Sequence, residues 1–272
     1  MTKNLKLKDI LLVKNPSRWG YALLIVAIYF AVKYLRPLSL DVVEAGTILR
    51  RGIHYSWYIL PVLLYFWISW GTKGVWNRLG LTSGLGEGLL SGFLFTLPML
   101  LGFAFIGEPK YSSWSFELIV VSALLPGLFE ELYYRGFVFG ELYKRAGWGF
   151  LLAAAFNGLV FGLAHIWQGN TLGETLGVFL VTFSGAAWFA WLYVEWRNNL
   201  WLPITLHILM NLYWALFAIE SNALGGVGAN VFRGITIAVS VIYTLRRRKP
   251  RQISRKELWW KGAEETTDMQ TY

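Results

Sequence analysis

The sequence predicts an all-α protein: a polytopic transmembrane helical bundle of about eight spans with both termini in the cytoplasm. Three observations lead to this fold class. Hydrophobic residues make up 56% of the 272 positions, only 15% are charged, and the mean hydropathy is +0.45. Apolar residues form long continuous runs rather than the short alternating segments of a membrane barrel. Lysine and arginine concentrate in alternate connections, as in helical membrane proteins.

Eight apolar segments account for the predicted spans. About 20 apolar residues cross the hydrocarbon layer as a helix, and the second segment is short by this measure. Tryptophans stand at several segment ends, as in the aromatic belts of membrane interfaces. The segments are approximately Gly20–Leu35, Trp57–Trp70, Leu89–Ile106, Phe116–Gly140, Trp148–Trp167, Leu172–Trp196, Leu202–Ile219 and Ala223–Leu245.

Basic residues set the predicted orientation. They flank the chain ends and follow the second, fourth and sixth segments, whereas the connections near 168–171 and 220–222 contain none. The first outer connection departs from this rule with Arg36, Arg50 and Arg51. The residues predicted on the inner side are Lys3, Lys6, Lys8, Lys14, Arg18, Lys73, Arg78, Lys144, Arg145, Arg197, Arg246, Arg247, Arg248, Lys249 and Arg251.

The predicted organisation is one membrane domain, residues 1–245, followed by a cytoplasmic tail, residues 246–272. The tail begins basic and ends acidic, and we expect a juxtamembrane anchor followed by disorder. Cysteine is absent, which excludes a cysteine nucleophile, a disulfide framework and a thiolate metal site. The net charge of +9 indicates anionic lipids as partners rather than nucleic acid, because the basic residues flank apolar segments.

Charges inside the fourth apolar segment need a reason, since each costs about 2.5–3.5 kcal/mol at the centre of a membrane helix. Glu131 and Arg135 are four residues apart, so we expect them to form a buried ion pair on one helix face. A structural salt bridge without a catalytic task is the alternative for this pair. Glu130 lies about 100° away around the helix. It is expected to stay unpaired, face a cavity and take a proton from water.

Two later segments repeat the four-residue spacing, each with one histidine. Phe161 precedes His165, so the phenyl ring can pack on the imidazole and hold its rotamer. His207 precedes Asn211 on one face, where an amide can stabilise a developing oxyanion. Each pair alone is more often a core histidine or a polar contact between helices. Their joint occurrence with the glutamates indicates an active site inside the membrane.

The ordered set Glu-Glu-x-x-x-Arg, Phe-x-x-x-His and His-x-x-x-Asn resembles the CPBP family, over roughly residues 81–217. That family includes CAAX prenyl endopeptidases and the bacteriocin-processing and abortive-infection proteases. The resemblance implies a multi-pass intramembrane endopeptidase of the cell membrane. It also implies a peptide or protein substrate, either of CAAX type or one processed at a leader or sorting signal.

The resemblance also implies separate roles for the motif residues. Glu130 and His165 would activate the attacking water, and His207 with Asn211 would form the oxyanion pocket. The ion pair would support Glu130. The implied catalytic residues are therefore Glu130, Glu131, Arg135, His165, His207 and Asn211.

Two alternatives remain open. Family members are often labelled metalloproteases, yet the resemblance favours a metal-independent, glutamate-type mechanism without a cofactor. Zinc stays an alternative because one carboxylate and two imidazoles are a sufficient ligand set, although no His-Glu-x-x-His motif is present. The alternative function is a non-proteolytic transporter, or an immunity or scaffold protein, with the same residues as proton relay or structural pairs. A transporter would more often have two related halves.

A simple alternating layout of spans separates the two motif histidines. His165 falls near the outer end of its segment, and His207 lies only about 6 Å from the inner end at 1.5 Å per residue. We therefore expect tilted or broken helices, or a segment around 169–177 that enters the membrane without crossing it.

Overall fold

The protein is described by a computed structural model that covers residues 17–40, 47–109, 114–247 and 251–260. Helices dominate these ranges, which contain no β-strand and one isolated bridge, between Trp148 and Trp260. The predicted all-α membrane bundle is confirmed. Within the same ranges, five helices are long and apolar enough to cross a membrane: Arg18–Leu35, Leu85–Ile106, Phe150–Gln168, Leu172–Glu195 and Val227–Arg246.

The eight predicted apolar segments all fall on long helices, although several ends differ. The second helix extends well beyond its predicted segment at both ends and bends at Gly71, whose φ of 71° suits glycine. The helices are α1 (Arg18–Leu40), α2 (Thr47–Leu79), α3 (Leu85–Ile106), α4 (116–144), α5 (Phe150–Leu163), α6 (Leu172–Glu195), α7 (Trp201–Leu216) and α8 (Val227–Arg246). A short 3₁₀ turn, Ile166–Gln168, follows α5.

Helix α4 is a continuous helix in which α-helical and π-helical turns alternate. Two π-helical stretches, Val120–Leu124 and Glu131–Phe139, flank the α-helical stretch Leu125–Glu130. Such turns are rare and occur most often at functional sites. The boundary between the second π-helical stretch and the turn before it falls between the two adjacent glutamates.

Several of the basic residues predicted on the inner side meet at one end of the bundle. Nζ of Lys144 donates to the carbonyl of Arg78 at 2.8 Å and to the hydroxyl of Tyr193 at 2.9 Å. Arg145 donates to Tyr21 and lies 4.9 Å from the ring of Trp70. The predicted inner residues Lys3, Lys6, Lys8, Lys14, Arg248 and Lys249 lie outside the described ranges.

Part of the predicted tail packs against the bundle. The backbone N–H groups of Phe150 and Leu151 donate to the carbonyls of Glu257 and Leu258 at 2.8 and 3.0 Å. The expectation of disorder beyond the anchor is therefore wrong for 251–260, because this segment satisfies backbone donors at the start of α5. The acidic end of the tail, within 261–272, lies outside the described residues.

Candidate active site

Glu131 is the buried centre of the first motif. Its side chain is fully buried, and its Oε1 accepts a hydrogen bond from Nη1 of Arg135 at 2.8 Å. Arg135 is itself 1% exposed. The ion pair predicted from the four-residue spacing is therefore present. It forms even though Glu131 and Arg135 lie in a π-helical stretch, where the spacing of residues on one face differs from that of an α-helix. Two opposite charges buried together avoid the cost of an isolated charge.

The same oxygen of Glu131 also contacts the third motif. Nδ1 of His207, on α7, lies 2.7 Å from Oε1 of Glu131. An ionised carboxylate only accepts hydrogen bonds, so Nδ1 of His207 is the donor and Nε2 is left for other partners. The family resemblance implies that Glu131 supports Glu130. The structure gives it a further contact, with His207 of the proposed oxyanion pocket.

Helices α4 and α7 come close enough for this contact because Gly127 lies at their crossing. A β-carbon built on Gly127 would lie 2.8 Å from the backbone nitrogen of Ile208. Glycine therefore lets the two backbones approach, as small residues do in membrane helix pairs. Glu131 is one turn along α4 from Gly127, and His207 directly precedes Ile208, so the close crossing brings the two side chains together.

The ring of Phe161 joins the second motif to the others. Its centroid lies 4.3 Å from the ring of His165 and 6.5 Å from the ring of His207. The guanidinium carbon of Arg135 lies 4.5 Å from the same centroid, a cation–π distance. Nδ1 of His165 donates to the carbonyl of Phe161 at 2.7 Å, since a carbonyl only accepts. Both histidines therefore lie against one phenyl ring.

Both histidine rings lie against Phe161, so the separation that a simple alternating layout of spans gives does not hold. Leu200, just before α7, and Leu79 both pack against Gly136 of α4. Gly136 lies eight residues before Lys144 along that helix. The backbone N–H of Leu200 donates to the carbonyl of Gly80 at 3.1 Å, which fixes this depth. His207 then reaches the level of Glu131 within two turns of α7.

Glu130 has a hydrogen-bond partner that the sequence does not predict. It is half-buried, and its Oε1 accepts a hydrogen bond from the hydroxyl of Tyr55 on α2 at 3.3 Å. The expectation that Glu130 is unpaired is therefore wrong. Tyr134 is one turn from Glu130, and its ring meets that of Phe161 at 4.9 Å. The Tyr134–Phe161 pair therefore connects the helix of Glu130 to the ring that His165 contacts.

A cavity of about 540 Å³ lies beside these residues, between α6, α7 and α8. Most of its lining is apolar, with a few polar groups, as in small-molecule and peptide sites. Trp188 of α6 lines the cavity, and its indole N–H donates to Ser240 of α8 at 3.1 Å. The predicted site residues that line it are Arg135, His207 and Asn211; Glu130, Glu131 and His165 are not among the lining residues.

A zinc site would require Glu130, His165 and His207 to lie close together. Among the residues that the structure describes, no three or more histidine, aspartate or glutamate side chains lie close enough together to hold a metal ion. Among the described residues, Glu130, His165 and His207 therefore do not form a ready three-ligand set.

Sequence analysis missed several side chains at the site. Tyr55 contacts Glu130, Phe189 stacks under Arg135 at 5.1 Å, and Arg233 lines the cavity. Tyr55 and Phe189 lie among many other aromatic residues, and Arg233 has no acidic residue three or four positions away. No local pattern distinguishes them, so only the packing of separate helices identifies them.

Comparison with known proteins matches residues 112–213 to a family model described as "Type II CAAX prenyl endopeptidase Rce1-like". This segment contains Glu130, Glu131 and Arg135, and also His165, His207 and Asn211. This match supports the resemblance of residues 112–213, the CPBP segment, to the CPBP family. The CPBP segment thus includes every predicted catalytic residue, whereas α1, α2, α3 and α8 lie outside it.

One curated relative is similar over a comparable length. The chain is 28% identical over 103 residues to a Bacillus subtilis (strain 168) protein named "Putative membrane peptidase YdiL". The match spans 38% of this chain and 38% of that protein, well under two thirds of either. No solved structure gives a significant match.

Proposed function

We propose that the chain is an intramembrane endopeptidase of the cell membrane that cleaves a peptide or protein substrate. The contact between Glu131 and His207 carries this proposal, because it joins the first and third motifs across two helices. Polar side chains in an apolar bundle cost free energy, and they are rare there without a function. Polar motifs that meet beside one cavity therefore indicate a functional site. The match of residues 112–213 to an endopeptidase family supports the same function.

In the proposed reaction, His165 and Glu130 accept the proton of the attacking water. Nδ1 of His165 donates to a carbonyl, so the neutral ring keeps its lone pair on Nε2. Glu130 is a second acceptor in this proposal. The water oxygen adds to the scissile carbonyl carbon, and the accepted proton passes to the leaving amine as the peptide bond breaks.

His207 and Asn211 stabilise the oxyanion in this proposal. Because Nδ1 of His207 donates to Glu131, Nε2 is the nitrogen available to the cavity that both residues line. A proton on Nε2 makes the ring cationic, so Glu131, Arg135 and His207 together carry a net charge of +1 toward the oxyanion. The Asn211 amide, one turn away, is the second donor.

The mostly apolar cavity suits a substrate with apolar side chains near the scissile bond. A CAAX-type C-terminus and a leader or sorting signal are both substrates of this chemistry. Anionic lipids are proposed partners of the basic end of the bundle, where the partly exposed Arg78 and Arg145 can attract anionic headgroups.

The test compares protein termini in cells that naturally carry the chain. Wild type, Glu130→Gln and a deletion strain are compared by quantitative mass spectrometry of peptide termini. We expect a precursor to accumulate uncut in the Gln variant and in the deletion strain alike. The precursor is then cleaved with purified protein. Termini that do not depend on the chain would refute the endopeptidase, and equal cleavage by Glu130→Gln at equal expression would remove Glu130 from the mechanism.

A further inference from the structure

Helix α2 lies outside the CPBP segment and still contacts the first motif. The hydroxyl of Tyr55 donates to Oε1 of Glu130 at 3.3 Å, and the Tyr55 side chain is only 6% exposed. Its ring stacks on Phe129, the residue before Glu130, with centroids 5.8 Å apart and planes 20° apart. Tyr55 is therefore held both at its ring and at its hydroxyl.

This contact has a definite chemical effect on Glu130. A phenol O–H that donates to a carboxylate stabilises the charged form, which is the form that can accept a proton from water. It also occupies one oxygen and so directs the other toward remaining partners. A ring stacked on Phe129 limits the positions that the hydroxyl can take, so Tyr55 restricts the rotamer of Glu130.

The same two helices make a second contact of the same kind, away from the site. Tyr65 of α2 donates to Oε2 of Glu141 on α4 at 2.7 Å, and Glu141 is fully buried. Arg145 also donates to the hydroxyl of Tyr65, at 3.1 Å. This pair lies at the basic end of the bundle, about ten residues along both helices from the first pair. It ties the helices together without reaching a motif residue.

We propose that Tyr55 is a positioning residue of the active site, which holds one carboxylate oxygen of Glu130 and so orients the other for proton transfer. The proposal rests on the proposed endopeptidase function of Glu130. It implies that the site is incomplete in the CPBP segment alone, because α2 supplies one of its groups.

Tyr55→Phe and Tyr65→Phe form a matched pair of variants. Each removes one hydroxyl that bonds a glutamate of α4 and keeps the ring. Both are expected to lower the melting temperature in detergent. Only Tyr55→Phe is expected to lower kcat on the precursor identified above, by about 10- to 100-fold, as misplacement of a reacting group does. KM should change little in either variant.

A second measurement does not depend on activity. Dicyclohexylcarbodiimide modifies protonated carboxyl groups in apolar surroundings, and peptide mass spectrometry gives the extent at Glu130. We expect severalfold more modification at Glu130 in Tyr55→Phe than in wild type or Tyr65→Phe. If labelling changes but wild type cleaves nothing, the contact stands and the proposed function fails. Unchanged labelling, or an equal loss of kcat in both variants, would overturn the positioning role.

Discussion

Oε1 of Glu131 accepts hydrogen bonds from two residues at once, Nδ1 of His207 at 2.7 Å and Nη1 of Arg135 at 2.8 Å. Glu131 and Arg135 are almost completely buried, and His207 is 12% exposed. One carboxylate oxygen therefore fixes both a cation of its own helix and an imidazole of another. In the proposed mechanism, both the stability of the bundle and the orientation of His207 depend on this one atom.

Removal of either partner of the ion pair should reduce stability as well as activity. Glu131→Ala leaves the Arg135 guanidinium buried without its counter-charge, and Arg135→Ala does the same to the carboxylate. A stranded buried charge typically costs about 3–5 kcal/mol. Thermal unfolding in detergent and expression yield measure the effect. Full stability of both variants would mean that the ion pair does not hold the helix.

His207→Ala should be milder for folding than either ion-pair variant, because the Glu131–Arg135 bond remains. It should still abolish most activity. The double-mutant cycle between Glu131→Gln and His207→Ala should give a coupling energy of about 0.5–3 kcal/mol in unfolding, as for residues in contact. Additive effects would contradict the contact between these two side chains.

Contacts within one helix were predictable from the sequence, whereas individual contacts between helices were not, because periodicity reports only on single helices. Periodicity tells which residues share a face of one helix, so Glu131 with Arg135 and Phe161 with His165 were predictable. His207 lies 76 residues from Glu131 and Tyr55 lies 75 from Glu130. Contacts at such separations depend on which helices adjoin and at what depth. Apolar composition specifies that a helix is in the membrane, but not its neighbours.

The fold class follows from the apolar composition of the chain, whereas the depth of a helix in the bundle depends on specific tertiary contacts. Long apolar runs require helices in lipid, because each backbone group must be bonded internally. The depth of α7 depends instead on Leu200, which bonds Gly80 and packs on Gly136. Neither contact has a pattern in the sequence, so a simple alternating layout of spans cannot bring His207 to the level of His165.

Asn211→Ala should separate catalysis from binding. Asn211 lines the cavity one turn beyond His207, and loss of one oxyanion donor typically lowers kcat by about 10²–10³. KM and the melting temperature should stay near wild type. A higher KM with unchanged kcat would mean that Asn211 binds the substrate in its ground state instead.

Chelation tests the metal alternative. We expect cleavage of the precursor to survive chelator treatment, and metal analysis of active protein to find less than one zinc per chain. A zinc enzyme would lose activity reversibly and regain it on zinc addition, because its three ligands would converge at about 2.0–2.2 Å from one ion. Reversible loss would replace the glutamate-type mechanism by a metal-dependent one.

Gly127→Ala should disturb the crossing of α4 and α7. The new methyl group would meet the backbone of Ile208, which cannot move aside alone, and overpacking costs about 1–3 kcal/mol. Helix α7 must shift, so the Glu131–His207 contact and kcat should both suffer. Gly86→Ala is the matched control, since nothing lies within 4 Å of a β-carbon at Gly86 and its helix position is exposed. Equal stability of the two variants would contradict the close crossing.

Gly185→Leu should show whether the substrate enters the cavity beside His207. Gly185 lines this cavity, and nothing lies within 4 Å of a β-carbon built on it, so a larger side chain can extend into the empty volume without displacing protein atoms. We expect the melting temperature to stay near wild type and KM for the precursor to rise, because the added side chain competes with the substrate for space. The control is Gly86→Leu, an exposed position on α3 that also has open space around it. A raised KM in Gly185→Leu alone places substrate binding between α6, α7 and α8. Unchanged kinetics in both variants would mean that the scissile bond reaches His207 and Asn211 by another path.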